Sequence, residues 1–188
     1  MTKEGEILNK LCQKASTKQA VYRTSKDVFE ELKVVLKEVA EELDGQLCTI
    51  DKHVQIEYKD KGEFEAELRF SGDVLIFHFH SNTFHFDKSH HIWNSSYAKI
   101  DKYRTYCGVI NIYNFLSDSF KYNRENDLGY LIGRMFINKE KHFFVEGKGR
   151  MSFLYNDFSN AVIDKVALKS ILQEAILFAM DFELITPP

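Results

Sequence analysis

Between residues 53 and 88 apolar side chains recur at every second position, and no other stretch restricts the fold of this chain as tightly. Val54, Ile56 and Tyr58 alternate with polar residues. Phe64, Ala66, Leu68 and Phe70 are separated by Glu65, Glu67 and Arg69. Leu75, Phe77 and Phe79 follow, then Phe84 and Phe86. A period of two sends alternate side chains to opposite faces, which is the pattern of half-buried antiparallel strands. A slip of one residue would turn every apolar side chain outward, so the pairing must match apolar with apolar. Asp60-Lys61-Gly62 fits a three-residue hairpin loop with glycine in the left-handed conformation, pairing Tyr58 with Phe64 and Ile56 with Ala66. A two-residue turn at Ser71-Gly72 pairs Leu68 with Leu75, Ala66 with Phe77 and Phe64 with Phe79. A third turn at Ser81-Asn82 pairs Phe79 with Phe84 and Phe77 with Phe86. The three choices agree on one apolar face.

The flanking segments change period. Ile7, Leu8, Leu11, Cys12 and Ala15 are spaced for a short helix over residues 3–15. Val28, Phe29, Leu32, Val35, Leu36, Val39 and Leu43 line a second helix, expected to start at a Thr24 or Ser25 cap and stop at Asp44-Gly45. Residues 105–116 are rich in Val, Ile and Tyr and are expected as a strand, although Val109, Ile112, Tyr113 and Leu116 also suit a helix. Tyr130–Ile137 and His142–Glu146 are further strands around a turn at residues 138–141, and residues 147–158 are irregular or a further strand. Leu168, Ile171, Leu172, Ala175, Phe178, Ala179 and Phe182 line one side of a long helix over about residues 160–183. The expected fold is a single α+β domain: a helical part over 1–45, an antiparallel meander of six to seven strands over 46–158, and a C-terminal helix and tail over 159–188, that helix packed on the sheet.

Composition excludes several classes. Cys12, Cys48 and Cys107 are few, odd in number and widely spaced, which argues against a disulfide framework. The first residues lack a basic-then-apolar leader, and no apolar run reaches the roughly 18–20 residues of a membrane span. A soluble cytoplasmic protein is expected, with no membrane partner. The net charge of −3 is unevenly spread. Residues 88–150 carry 11 basic and 6 acidic side chains, against 12 and 17 in residues 1–87 and 2 and 5 in residues 151–188.

The candidate sites follow from the strand pattern. In the expected register His78 and His85 oppose each other on the polar face, with Glu65 and His80 as neighbours. Two imidazoles and a carboxylate suit zinc and would leave a fourth position for water, the arrangement of a metal-dependent hydrolase. The competing reading is a solvated sheet face, which must carry polar groups in any case. Arg134 stands inside the apolar run YLIGRMFI and is the candidate anchor for an anionic ligand. Lys99, Lys102, Arg104, Lys121 and Arg124 with Tyr97, Tyr103 and Tyr106 have nucleic-acid character, but the chain is mildly acidic overall and carries no nucleic-acid-binding motif, so that partner is not expected. No GxSxG or HExxH occurs, and Cys107 is expected to be a buried structural thiol. The expected function is a non-catalytic binding or interaction domain, with a protein partner or self-association through Val162, Val166, Leu177 and Met180. The alternatives are the zinc-type hydrolase and a small-ligand carrier with a cavity between sheet and last helix.

Overall fold

The apolar stripes give two main layers, the sheet and a helical layer on one face, with a partial third on the other face. The structure, a computed structural model, describes residues 2–47, 49–51 and 53–182. Cys48 and residues 183–188, with both prolines and the expected end of the last helix, lie outside the described residues. The helices are α1 (Lys3–Lys10), α2 (Ser16–Leu47), α3 (Ser96–Ile100), α4 (Ser117–Lys121), α5 (Met151–Leu154) and α6 (Lys165–Asp181). The strands are β1 (Ile56–Asp60), β2 (Glu65–Phe70), β3 (Asp73–His85), β4 (Tyr106–Leu116), β5 (Tyr130–Asn138) and β6 (Phe143–Gly147). All six form one antiparallel sheet in chain order. The α+β class therefore holds. Segment 105–116 is a central strand, flanked by β3 and β5.

The two expected N-terminal helices are one. A single π turn, Leu11–Ala15, joins α1 to α2, so the backbone stays helical from Lys3 to Leu47. Thr24 and Ser25 do not cap it. They lie mid-helix, where their hydroxyls donate to the Lys139 and Ile137 carbonyls of the β5 end. Asp44-Gly45 does not end it either; the Asp44 carboxylate instead accepts the backbone N–H of Ile56. Tertiary partners thus take up the polar groups that a helix terminus would otherwise use.

The inner face of the sheet is covered by α2 and α6 together, not by the last helix alone. Val28, Phe29, Leu32, Leu36 and Val39 of α2 and Leu168, Ile171, Leu172 and Ala175 of α6 join Leu68, Leu75, Phe77, Phe79, Ile110 and Ile112 in one buried cluster. The helices are tied along their rims by Lys165–Glu38 at 2.6 Å and Lys169–Glu42 at 2.8 Å. Gly108 of β4 marks the closest approach of α2. A side chain there would meet Ser25, with a Cβ placed 2.7 Å from that of Ser25. Lys33 of α2 is buried, and its Nζ donates to the Gly62 carbonyl at 2.7 Å and lies 3.3 Å from Asp60. It holds the β1–β2 hairpin against the helix.

Of the three expected hairpins, one stands as predicted. The Ser71-Gly72 turn pairs Leu68 with Leu75 and Ala66 with Phe77. The first hairpin pairs Tyr58 with Leu68 rather than Phe64. That displacement is even, so it keeps every side chain on its expected face. The third hairpin does not exist. β3 runs on through Ser81-Asn82 and pairs with β4 on both sides of a bulge between His80 and Phe84. An uninterrupted strand keeps its alternation, so Phe84 opposes Cys107 and leaves the face of Phe77 and Phe79. Phe84 and Phe86 turn to a second apolar cluster on the outer face. There Ile92, Cys107, Val109, Phe136, Phe144 and Phe158 are buried beneath the connection that carries α3.

Candidate functional site: a lysine-rimmed aromatic cleft

The continuation of β3 past Ser81-Asn82 divides the expected zinc quartet. Glu65 and His78 are directly opposed on the outer face, and His80 is next to them, its ring centroid 6.2 Å from that of His78. His85 pairs with Tyr106 and faces the helical side. Among the described residues no three of His, Cys, Asp and Glu come together in a group able to hold a metal ion. The outer face instead carries a polar row across five strands: Glu65, His78, Asn111, Arg134 and Glu146. Arg134 is half exposed and lies 4.0 Å from Glu146, which also meets His90 at 3.1 Å. It borders a shallow cavity of about 410 Å³ with Asn111, Tyr113, Phe84 and Phe136. Cys107 is fully buried, and burial pushes its thiol well above the ordinary value, which keeps it protonated and unreactive.

The residues where a carried ligand would sit between sheet and α6 pack against one another in the main cluster. On α6, Val166, Leu177 and Met180 are exposed, and Leu177 and Met180 border a groove with Val39 and Leu43 of α2. Among the described residues no helix is long and apolar enough to cross a membrane.

His85 leads to a different site. It lies in a cleft of about 670 Å³ between the N-terminal helical segment and the β3–β4 connection. Asn9, Lys10, Gln13 and Lys14 form one wall. His85, Lys88, Trp93, Lys102, Tyr103 and Tyr106 form the floor and the opposite wall. The volume is within the range of small-molecule sites, on the order of 300–1,000 Å³. Tyr103 spans the cleft, its Oη donating to Gln13 Oε1 at 2.8 Å, and the Lys102 ammonium lies 5.3 Å from the Tyr103 ring centre. Among the described lining residues four are lysines and none is a carboxylate. Lys10 is held by Glu6 on its own helix at 2.6 Å.

The pKa of His85 is held below its ordinary value by burial first, then by Lys14 of the cleft and by Lys18 one turn further along the helix, with Asp87 opposing. His91 is held down by burial and by His90, opposed by Glu146 and Asn156. A histidine with a depressed folded pKa favours the fold while neutral. That contribution is complete above the ordinary value of 6.5 and is lost as the pH falls through the depressed values. The thermal midpoint is therefore expected to drop between about pH 7.5 and about pH 5.5, and the drop should be shallower in a His85→Gln/His91→Gln variant. Equal slopes in a pH series of melts would refute this.

Most of the cleft was missed by the strand pattern, because its walls come from residues 9–14 and 85–106. One signal was present: Lys10, Lys14 and Lys18 recur every four residues on one helix. The connection's Lys102, Tyr103 and Tyr106 were singled out, but the helix that faces them was not. Comparisons with protein-family models, curated proteins and solved structures give no match to this chain.

Proposed function

We propose that this chain is a binding domain that takes an anionic ligand in the cleft between its N-terminal helical segment and the β3–β4 connection. One observation carries the reading: Lys14, Lys88 and Lys102, with Lys10 held by Glu6 at its edge, line one concavity whose described lining holds no carboxylate. Like charges gathered around a concavity repel one another unless a counter-charge sits among them, and low-dielectric walls concentrate their field on whatever enters. The aromatic floor supports the reading, since it supplies those walls.

Calorimetric titration of the protein with inorganic tripolyphosphate at low salt tests it. Binding is expected to weaken steeply as salt rises. A Lys14→Glu/Lys102→Glu variant should lose at least about tenfold in affinity, because two attractions become repulsions. A Lys37→Glu control, on an exposed part of α2 beside Glu41, should bind as the parent does. Equal loss in control and cleft variant, or no binding by the parent, would refute the assignment.

A further inference from the structure

Charge accounts for only part of the cleft. Lysines alone satisfy a simple anion, yet the floor here is a run of four rings. The Tyr103 and Tyr106 centroids are 6.1 Å apart with planes 27° from parallel. His85 lies 4.4 Å from Tyr106, and Trp93 meets His85 edge-on at 5.6 Å. Tyr106 is buried, Tyr103 and Trp93 are half-buried and His85 is exposed, and all four line the cavity.

The wall opposite is equally ordered. Lys10, Lys14 and Lys18 follow one another along the helix at intervals of about 6 Å, close to the spacing of phosphates on an extended strand. Beyond Lys14 the cleft is followed along the same helix and strand by a second cavity of about 700 Å³, bordered by Lys18, Tyr22, His80 and Phe84. From Asn9 to Tyr22 the helical wall is about 20 Å long. The π turn Leu11–Ala15 falls within that wall and carries Gln13 and Lys14. Such turns inside helices recur at functional sites.

We infer that the cleft binds a nucleotide, either as a unit of a single strand or free, with phosphates along the lysine wall and the base stacked on the aromatic floor. The inference rests on the anionic-cleft reading. It assigns the rings a task that the lysines cannot perform, since every base has a π face and stacking on tyrosine or tryptophan is tolerant of sequence.

The chain's single tryptophan is Trp93, so its emission reports on the cleft directly. The full chain is titrated at one salt concentration with an oligothymidylate of about ten nucleotides, with thymidine triphosphate and with inorganic tripolyphosphate. The nucleobase ligands are expected to quench Trp93 and to bind at least about tenfold more tightly than tripolyphosphate. Tyr103→Leu should remove about tenfold of nucleobase affinity and leave tripolyphosphate binding unchanged, whereas Tyr103→Phe should retain the parent's affinity. Both variants lose the hydrogen bond to Gln13, so their difference isolates the ring. A preference for the oligonucleotide identifies a strand as the source, and a preference for the triphosphate identifies a free nucleotide; either supports the inference. Equal affinity for all three ligands, with Tyr103→Leu indifferent, overturns the nucleobase and leaves the anionic cleft standing. No binding of any ligand overturns both.

Discussion

Replacing Phe79 by alanine is expected to lower the unfolding free energy by about 3–5 kcal/mol, whereas the same change at Phe84 should cost about 1 kcal/mol. Both residues lie on β3, five positions apart, and a hairpin at Ser81-Asn82 would have placed them side by side in one core. The continued strand separates them. Phe79 is 1% exposed and packs on Tyr22, Phe29 and Phe64. Phe84 is 38% exposed and meets His80 and Phe136 edge-on at the rim of the outer cluster. Truncating the first leaves a cavity that the rigid α2–sheet contact cannot close; truncating the second removes surface that water already reaches. Urea unfolding of the two variants measures the difference. Equal costs would mean that the two rings share one core and that the strand does turn.

Gly108→Ala is expected to cost about 2–3 kcal/mol, at the upper end for a small-to-large change in a packed interior. The added methyl would sit 2.7 Å from the Ser25 Cβ and closer still to its hydroxyl. Ser25 is fully buried on α2 against the sheet, so neither backbone retreats without opening the core around Val21 and Ile110. Removing the obstacle should restore much of the loss. In a Gly108→Ala/Ser25→Gly variant the two changes should be non-additive, offset only by about 1 kcal/mol for glycine inside a helix. A double-mutant cycle by thermal or urea unfolding checks this. Strict additivity would show that Gly108 is not held by its approach to Ser25.

The pattern of alternation specified which face a side chain takes more firmly than which residue it meets. In the first hairpin the observed pairing differs from the expected one by an even step, which preserves every face and is therefore invisible to hydrophobic patterning. Contacts from α2 accompany the observed register: Lys33 binds the Gly62 carbonyl and Lys26 pairs with Glu63 at 2.6 Å. At residues 78–86 the phenylalanines change phase, from 77 and 79 to 84 and 86. A phase change arises equally from a strand that turns back on the same face and from one that runs on beside a second apolar layer. The second layer is supplied by Ile92 and Phe158, which the sequence places in loops. The zinc quartet fell with the same choice, since His85 shares a face with His78 only if the strand turns.

By itself the sequence determined the α+β class, the alternating strands, the Ser71-Gly72 turn and the inner core of Leu68, Leu75, Phe77 and Phe79, because all of these follow from local periodicity and near neighbours. Only the tertiary structure decided that the N-terminal helix is continuous, that β3 crosses its bulge, and that Lys10 and Lys14 face Lys102 and Tyr103 across one cleft. Those outcomes depend on groups distant in the chain, such as Thr24 and Lys139, Phe84 and Cys107, and Gln13 and Tyr103. Periodicity carries the direction of a side chain; what stands opposite it is set by how the layers pack.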